Sequence, residues 1–373
     1  MKTDKKNINV LHIDSERTWR GGQQQAAYLL ETMHEKGYET ALVCRPGSEF
    51  ESYCLKKKLP HYSIRMRGEV DFFCGFQIAR ICKNHGYEIL HLHSAHAIST
   101  GLWAKLFNRS LILVGVRRVD FHIRNHAFSR FKYKTSMLDR LVCISKKIYE
   151  VALEDGIPED KLRIIRSGVD LTKFDRDFRD PLFKKEFGIP DNHVVAGTVA
   201  AVTWHKDYPN LLKAAGKVLD SEDHITFIAV GSGPDEAKIH DLKNELGLGD
   251  RFIFTGFRSD VGRFLKNFDM FVHASKMEGL GTSILDAQGA GLPVIGSYAG
   301  GIPEIIQHRK NGLLVPVGNP AALADAIVEL VNDETLRNML GKNGRETVEE
   351  FSIAHTIEHN LDLYREIMQK TQS

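Results

Sequence analysis

Cysteine is scarce in this sequence, and its spacing excludes the usual cysteine metal sites. Five cysteines occur among 373 residues, all in the first half, and none forms a CxxC pair. Cys44 and Cys143 lie in apolar runs that are typical of strands. Free cysteine is among the most buried residue types. We therefore predict buried thiols.

Long apolar runs are also missing. The longest, residues 111–116, is far shorter than the roughly 20 residues that a transmembrane helix needs. Residues 1–7 lack the apolar region of a signal peptide. The sequence thus predicts a cytoplasmic protein, with the inner face of the membrane as a further location. A complete GxGxxG fingerprint and a recognised nucleic-acid module are absent as well, which disfavours a dehydrogenase and a nucleic-acid partner.

Net charge is small, but the two halves differ in sign. The formal net charge is +2, yet residues 1–166 hold 28 Lys and Arg against 18 Asp and Glu, and the remainder holds 22 against 30. We expect the basic half to meet an anionic partner or surface.

Apolar strand-like runs alternate with helical patterns throughout the first half. Predicted strands lie at residues 8–14, 40–44, 61–66, 88–93, 111–117 and 140–144, separated by helix-length segments. Such alternation predicts right-handed parallel crossovers and a doubly wound sheet. Ligands of these sheets bind at the carboxyl ends of the strands. Six residues are predicted at that edge: Gly21, Gly22, His93, His96, Arg117 and Arg118.

The second half repeats the alternation and contains the most informative stretch, residues 276–287. An apolar strand leads into Glu278, glycines follow, and Gly281 precedes a helical pattern. Thr282 and Ser283 are residue types that cap helices. The first amides of that helix would face an anion. Because Asp286 would lie about 7.5 Å along the helix, two carboxylates could flank a phosphate site.

Several motifs of the second half resemble glycosyltransferase family 4, a retaining family. The family has two glutamates separated by seven residues, followed by Gly-x-Pro-Val and Gly-Gly-x-x-Glu. Here Glu278 and Asp286 occupy the first pattern, with aspartate for the second glutamate, and the others read Gly-Leu-Pro-Val and Gly-Gly-Ile-Pro-Glu at 291–294 and 300–304. The resemblance implies an α/β protein of GT-B architecture, with two Rossmann-like doubly wound domains facing across a cleft.

A second resemblance predicts the domain boundaries. Residues 164–174, containing Ser-Gly-Val-Asp, are similar to the segment by which the family leaves its first domain. We predict an acceptor-side domain at 1–166 that also includes a crossing helix near 353–373. A hinge at 167–190 and a nucleotide-sugar-binding domain at 191–352 complete the prediction.

The resemblance also implies roles on the donor side. Glu278 would contact hydroxyls of the donor sugar and Asp286 the ribose. Lys206, Thr282 and neighbouring amides would hold the diphosphate, and Glu278 and Lys206 are the predicted catalytic residues. The remaining predicted donor-binding residues are Gly21, Gly22, Gly231, Gly233, Gly281 and Ser283. The family commonly has an arginine where this chain has Ala201, so one cation is missing.

On the acceptor side, Arg117 stands where many family members have a histidine. We hypothesise that Arg117 or Arg118 grips an anionic acceptor or the donor phosphate, since guanidinium matches phosphate as a fork. Asp120 and His93 are further candidate contacts, although a strand histidine can equally be a packed core residue. Residues 117–147 mix basic and aromatic side chains, which indicates either contact with an anionic membrane or a solvated helix face.

The expected function is transfer of a sugar from a nucleotide diphosphate sugar to a glycan or glycolipid acceptor, in polysaccharide or lipopolysaccharide synthesis. No cofactor and no metal are expected. The departures at Ala201, Arg117 and Asp286 keep a non-catalytic sugar-nucleotide-binding subunit open. A nucleotide-sugar epimerase of the same fold is another alternative. The sequence leaves the base, the sugar and the acceptor undefined.

Overall fold

The computed structural model describes residues 8–123, 127–174 and 179–372. The chain forms two compact units. The first unit consists of the chain up to Ser167 together with the chain from Ile353 onward, and the second unit spans Gly168–Ser352. Residues 1–7, on which the signal-peptide prediction depended, lie outside the described residues, as does Arg124 of the basic stretch. Among the described residues, no helix is both long and apolar enough to span a bilayer.

The first unit is built on a parallel sheet of seven strands in the order β3-β2-β1-β4-β5-β6-β7. The strands are β1 (Asn9–Ile13), β2 (Glu39–Cys44), β3 (His61–Ser63), β4 (Ile89–Leu92), β5 (Ile112–Arg117), β6 (Arg140–Cys143) and β7 (Leu162–Ile164). The helices that follow them in the chain are α1 (Gly21–Glu35), α2 (Glu49–Lys57), α3 (Phe72–His85), α4 (Ala95–Phe107), α5 (Ala127–Lys134) and α6 (Lys146–Glu154).

Local sequence explains where several of these helices begin. The side chains of Ser48, Asp71, Ser94 and Ser145 precede α2, α3, α4 and α6, and each accepts a hydrogen bond from the amide three residues on. These short polar side chains satisfy amides that have no partner within the helix. All five cysteines are buried in this unit, as predicted.

The second unit has a parallel sheet of six strands in the order β10-β9-β8-β11-β12-β13. Its helices and strands, in chain order, are α7 (Phe183–Glu186), β8 (Val194–Val199), α8 (Tyr208–Leu219), β9 (Ile225–Val230), α9 (Glu236–Glu245), β10 (Phe252–Phe254), α10 (Val261–Asn267), β11 (Met270–His273), α11 (Thr282–Gly289), β12 (Val294–Ser297), α12 (Ile302–Ile305), β13 (Leu313–Val315), α13 (Pro320–Asn332) and α14 (Glu334–Thr347). The predicted pair of doubly wound parallel sheets is confirmed.

Both sheets reverse their winding at an equivalent place. The chain moves outward from β1 to β3 and then returns to place β4 on the other side of β1, and β8 and β11 are related in the same way. Loops leave the two central strands in opposite directions at such a switch point, so a crevice opens at their carboxyl ends. Each unit therefore has one preferred place for a binding site.

Two segments show how the chain is divided between the units. The last helix, α15 (Ile353–Gln372), packs against the first unit, where Tyr364 is fully buried and its hydroxyl lies 2.5 Å from Nδ1 of His91. Within residues 167–190, predicted as a hinge, Phe183 is buried in the second unit and Asp180 forms an ion pair with Arg263 at 2.6 Å. Residues 179–190 are thus anchored to the second unit.

Candidate functional site

The site of the second unit begins where β11 ends at His273. The chain then crosses a loop to Gly281, which has a φ of +105° and stands immediately before α11. That conformation is favourable for glycine and strained for residues with a Cβ. Thr282 and Ser283 were predicted as possible caps, but they are the first residues of α11 itself, and Gly281 occupies the cap position without a side-chain hydrogen bond.

The start of α11 offers unused hydrogen-bond donors. Among the described residues, the first backbone amides directed back to the cap are those of Ile284 and Leu285, which donate to the Gly281 carbonyl. The amides of Thr282 and Ser283 precede them and have no backbone acceptor within the helix. Acidic residues are absent from this first turn. The helix end is therefore suited to an anion.

Lys206 and Glu278 are brought together, although 72 positions separate them in the sequence. The Lys206 ammonium donates a hydrogen bond to the Glu278 carboxylate, forming an ion pair in which both side chains are largely shielded from solvent. His273 joins them, with its Nε2 atom 2.8 Å from the same carboxylate. The Glu278 side chain also lies against Gly281, since a Cβ built there would be 3.6 Å from its Cγ. The charged cluster of Lys206, Glu278 and His273 thus lies next to the cap of α11.

The charges in this cluster stabilise one another. Burial raises the pKa of Glu278, but the Lys206 ammonium and the His273 ring outweigh it and hold that pKa well below its usual range. Burial and the neighbouring Lys206 both lower the pKa of His273. At neutral pH the cluster accordingly contains an ionised carboxylate, a lysine and a neutral imidazole.

Backbone contacts fix the loop that presents Lys206. The Lys276 amide donates to the His205 carbonyl at 2.8 Å, and the Lys276 ammonium lies 3.0 Å from the carboxylate of Asp207. Asp207 is buried and has a φ of +48°. These contacts join the loops after β8 and β11, so that Lys206 and Glu278 meet.

Gly231 and Gly233 have a packing role beside this loop. Gly231 has a φ of +140°, and a Cβ there would lie 2.1 Å from the Ala200 carbonyl oxygen. A Cβ at Gly233 would lie 2.2 Å from the Val202 carbonyl oxygen. Only glycine permits this close approach, and the same approach keeps the segment before Lys206 in place.

Asp286 lies in α11 and has a different environment from Glu278. Burial raises the pKa of its carboxyl to about 6, with the Lys173 ammonium opposing the shift and the Asp170 carboxylate adding to it. Asp170 and Lys173 belong to the segment predicted from the Ser-Gly-Val-Asp resemblance. That segment therefore borders the site of its own unit.

In the first unit, Gly21 and Gly22 form the start of α1, as predicted for a glycine-rich turn. Arg118 lies over Gly22, since a Cβ there would be 3.1 Å from Cδ of the arginine. Burial lowers the pKa of Arg118 to about 10, although Asp14 opposes the shift. Arg118 thus lies beside the amino end of α1.

His93 belongs to a buried cluster of three histidines, with His12 and His91. His12 and His91 are register partners on β1 and β4, and Nδ1 of His12 lies 2.9 Å from Nε2 of His93. Burial lowers the pKa of His12 to about 3 and those of His91 and His93 well below the ordinary value. Candidate ligand nitrogens of the three rings lie within 4.8 Å of one another, so they could reach one metal ion. The charge of Arg118, which also lowers the pKa of His91 and His93, opposes a cation there.

Arg117 is held inside the first unit rather than presented at its edge. Its guanidinium donates to the Phe121 carbonyl, lies 3.4 Å from Asp155 and packs over the ring of Tyr133 at 5.5 Å. The side chain is 3% exposed. Of the two arginines that were predicted as alternatives, Arg118 alone stands beside a glycine-rich helix start. Asp120, the remaining candidate, is half-buried in the loop after β5.

The basic stretch at 117–147 is only partly a surface feature. Lys132 is 4% exposed and forms an ion pair with Glu69 at 3.2 Å, and Arg140 lies 3.8 Å from Glu366 of α15. These charges are used within the unit. Arg117, Lys132 and Arg140 are therefore committed to contacts inside the unit, and neither predicted alternative, membrane contact or a solvated face, describes them.

Sequence reasoning missed His273, Asp170 and Asp207. His273 ends an apolar strand run, and a polar residue at the carboxyl end of a buried strand is a signal that could have identified it. Asp207 directly follows Lys206, so its proximity was evident but its burial was not. The relation of Asp170 to Asp286 depends on tertiary packing alone.

Comparison with known proteins assigns both parts of the chain to one group. The model "Glycosyltransferase Family 4" matches residues 19–173, and "Glycosyl transferases group 1" matches residues 180–347. The lipopolysaccharide core biosynthesis glycosyltransferase LpsD of Rhizobium meliloti is 32% identical, covering 96% of this chain and 98% of LpsD. An Escherichia coli UDP-Gal:alpha-D-GlcNAc-diphosphoundecaprenol alpha-1,3-galactosyltransferase is 25% identical over 98% of both chains. The fold of Anabaena HepE, solved with UDP-glucose, matches with a TM-score of 0.84 at 18% identity, covering 98% of this chain and 100% of HepE.

Proposed function

Since this chain belongs to glycosyltransferase family 4 and has its GT-B fold, we propose that it transfers a sugar from a nucleotide diphosphate sugar to a glycan or lipid-linked acceptor, with retention of configuration. The observation that carries this proposal is the contact of Lys206 with Glu278 beside the cap of α11. A cation, unused helix amides and a carboxylate within one site suit a ligand that combines a diphosphate with sugar hydroxyls.

Each part of the donor has a partner in this proposal. The diphosphate lies at the Thr282 and Ser283 amides and takes the Lys206 ammonium from its present contact with Glu278. The Glu278 carboxylate is then free to accept hydrogen bonds from hydroxyls of the sugar. Asp286 serves the ribose and is about 1.5 Å shorter in reach than a glutamate, a gap that a bridging water can fill.

The bond between the anomeric carbon and the diphosphate oxygen breaks, and the acceptor oxygen bonds to that carbon from the same face. The acceptor's proton passes to the departing diphosphate, so the step balances without an enzyme nucleophile. Lys206 and the amides of α11 stabilise the negative charge that develops on the leaving group. We propose that these groups replace a divalent metal in this role.

The relatives support a donor and an acceptor class. HepE was solved with UDP-glucose, and the Escherichia coli relative is named for transfer from UDP-galactose to a diphosphoundecaprenol-linked sugar. LpsD is named for lipopolysaccharide core biosynthesis. We therefore propose a UDP-sugar as the first donor to test and a lipid-linked or lipopolysaccharide-type glycan as acceptor.

A ligand screen tests the proposal before any acceptor is known. UDP-, GDP- and ADP-sugars are each added to the full chain, and thermal unfolding is recorded. A donor present at about 100 times its Kd adds about 2.7 kcal/mol to the stability of the folded state. Glu334, an exposed residue of α14, supplies the control variant Glu334→Gln. Protection by one sugar nucleotide in wild type and control, weakened in Lys206→Met, supports the site. Equal protection in Lys206→Met contradicts it.

One observation favours a non-catalytic binding subunit as the second candidate: Ala201 stands where the family has its arginine, so the diphosphate would have one cation fewer. Protection by a donor, with neither transfer nor donor hydrolysis detected, would select this candidate. Interconversion of the free sugar nucleotide without an acceptor would instead indicate an epimerase.

A further inference from the structure

A group of large apolar side chains is exposed on α3 and α4 of the first unit. We call it the apolar ridge, and it consists of Phe72, Phe73 and Phe76 on α3 and Leu106 and Phe107 on α4. Their exposed fractions range from 47% to 68%. Single exposed apolar residues are ordinary, whereas five together mark an interaction surface.

Close packing of the two helices makes these residues one continuous surface. A Cβ at Gly75 would lie 2.5 Å from the Cβ of Trp103, so glycine lets α3 and α4 approach closely at this point. The ring of Phe72 lies 4.2 Å from that of Trp103, and the ring of Phe76 lies 5.5 Å from that of Phe107, measured between centroids. The aromatic rings of one helix are therefore supported by those of the other.

The ridge is the outer side of an amphipathic helix. Cys74, Ile78 and Cys82 point from α3 into the core, while Phe72, Phe76 and Arg80 follow one another at four-residue spacing and are exposed. Residues four apart lie on one face of a helix. The apolar face thus continues into a cationic one.

Positive charge borders the ridge at the carboxyl-terminal ends of α3 and α4. Arg80 and Lys83 are exposed on α3, and Arg109 is exposed just after α4. These three make no ion pair with any residue that the structure describes. Two nearby acidic residues already have hydrogen-bond partners: Glu69 accepts from Ser99 and Lys132, and Asp71 accepts from the amide of Cys74 at the start of α3. A third, Glu88, lies after the end of α3 in the chain.

We propose that the apolar ridge docks on an anionic lipid bilayer, with its rings at the interface and Arg80, Lys83 and Arg109 at the lipid phosphates. Aromatic rings with flanking cations are the composition that favours the bilayer interface. An apolar protein partner would not require the cations, which is why the charge favours a membrane. This proposal rests on the proposed function: a lipid-linked acceptor resides in a membrane, so docking of the ridge would bring the enzyme to its acceptor.

Vesicle co-sedimentation of the full chain tests the proposal without donor or acceptor. The vesicles are phosphatidylcholine alone and phosphatidylcholine mixed with phosphatidylglycerol. We expect binding to the mixed vesicles, a loss of about tenfold or more in Phe73→Ser/Phe76→Ser/Phe107→Ser, and a smaller, salt-sensitive loss in Arg80→Gln/Lys83→Gln/Arg109→Gln. Leu55 on α2 and Leu182 in the second unit are comparably exposed and supply the controls Leu55→Ser and Leu182→Ser, which should bind like wild type.

Trp103 offers a second measurement. In a Trp19→Phe/Trp204→Phe background, its fluorescence should shift to shorter wavelength with the mixed vesicles and not with phosphatidylcholine alone. Vesicle binding that the ridge substitutions leave unchanged would overturn the proposal. So would self-association in sedimentation velocity that these substitutions abolish while no vesicle binding is seen. Since donor protection is measured separately, failure of the ridge and failure of the proposed function are distinguishable.

Discussion

The two units carry histidine-containing clusters at the same topological position, yet the clusters differ in charge. In the first unit, His12 and His91 lie side by side on β1 and β4, the two strands of the switch point, and His93 follows β4. In the second, His273 ends β11, and the loops from β8 and β11 supply Lys206 and Glu278. The first cluster is made of neutral rings, and the second contains an ion pair.

This difference follows from the partners available to each histidine. Burial alone keeps His12 neutral, and a cation nearby, Arg118, disfavours protonation of His91 and His93 further. His273 has the Glu278 carboxylate as partner, and that carboxylate stays ionised because Lys206 faces it. Topology therefore selects where polar side chains gather, whereas the neighbouring charges decide what chemistry they can perform.

The largest effect is expected when the charged cluster is made neutral. Glu278→Gln and Lys206→Met should each lower turnover by a hundredfold to a thousandfold, or about 2.7 to 4 kcal/mol, which is typical of losing a preorganised electrostatic group. Steady-state kinetics with the donor identified by the ligand screen measures this effect, and Glu334→Gln is the control. Full activity in Glu278→Gln, with the fold intact by circular dichroism, would remove this residue from the catalytic site.

We expect the neutral cluster of His12, His91 and His93 to make the protein less stable as the pH falls. Because the folded-state pKa values of His12, His91 and His93 lie below the ordinary value, the unfolded chain binds these protons more tightly. Their contribution to stability is present above about pH 6.5 and is lost as the pH falls below it, by at most about 1.4 kcal/mol per pH unit for one histidine. Urea unfolding at several pH values measures the slope. His91→Gln/His93→Gln should make it shallower, and an unchanged slope would argue against neutral buried rings.

We expect the ionisation of Asp286 to change stability with pH in the opposite direction to the three histidines, and by a smaller amount. Its folded-state pKa, raised to about 6, means that the folded protein binds this proton more tightly than the unfolded chain. The resulting stabilisation is present below about pH 4 and disappears as the pH rises through about 6. Because the side chain is partly exposed, we expect about 1 to 2 kcal/mol rather than the full value of the shift. The difference in unfolding free energy between wild type and Asp286→Asn, at about pH 4 and about pH 7.5, isolates this contribution, since the histidine contributions cancel.

The smallest effect is expected from metal removal. If Lys206 and the amides of α11 stabilise the leaving group, treatment with a chelator followed by gel filtration should leave turnover unchanged. Mass spectrometry of the metal content, before and after treatment, is the accompanying control. Turnover that falls after chelation and returns with a divalent ion would show that the charged cluster needs a metal that this mechanism does not include.

Sequence reasoning located Lys206 and Glu278, two members of the charged cluster, because their signals are local. A strand-loop-helix unit can be identified here from neighbouring residues alone: an apolar strand comes first, then glycines beside Glu278, then a helical pattern after Gly281. Lys206 was found through its own resemblance in a similar loop. Both loops follow central strands of a parallel sheet, so their meeting is a consequence of the topology.

The same reasoning was less successful for residues whose role depends on what packs over them. Arg117 was predicted as a contact of the acceptor or the donor phosphate, and Lys132 as part of a basic stretch. Asp155 and Glu69, which are distant in the sequence, instead pair with them inside the unit. The apolar ridge was likewise unseen, because an aromatic residue on a helix resembles a core residue until the packed helices leave it outside.

The sequence by itself determined the order of strands and helices, the glycines that permit close approach, and the residue types at the carboxyl edges of both sheets. These depend on short-range periodicity and backbone sterics, which are properties of neighbouring residues. Tertiary structure alone decided that His12 and His91 share a register, that Glu278 is ionised beside Lys206, and that Asp286 holds its proton more tightly. Burial and distance between charges set these properties, and both arise only when remote segments pack together.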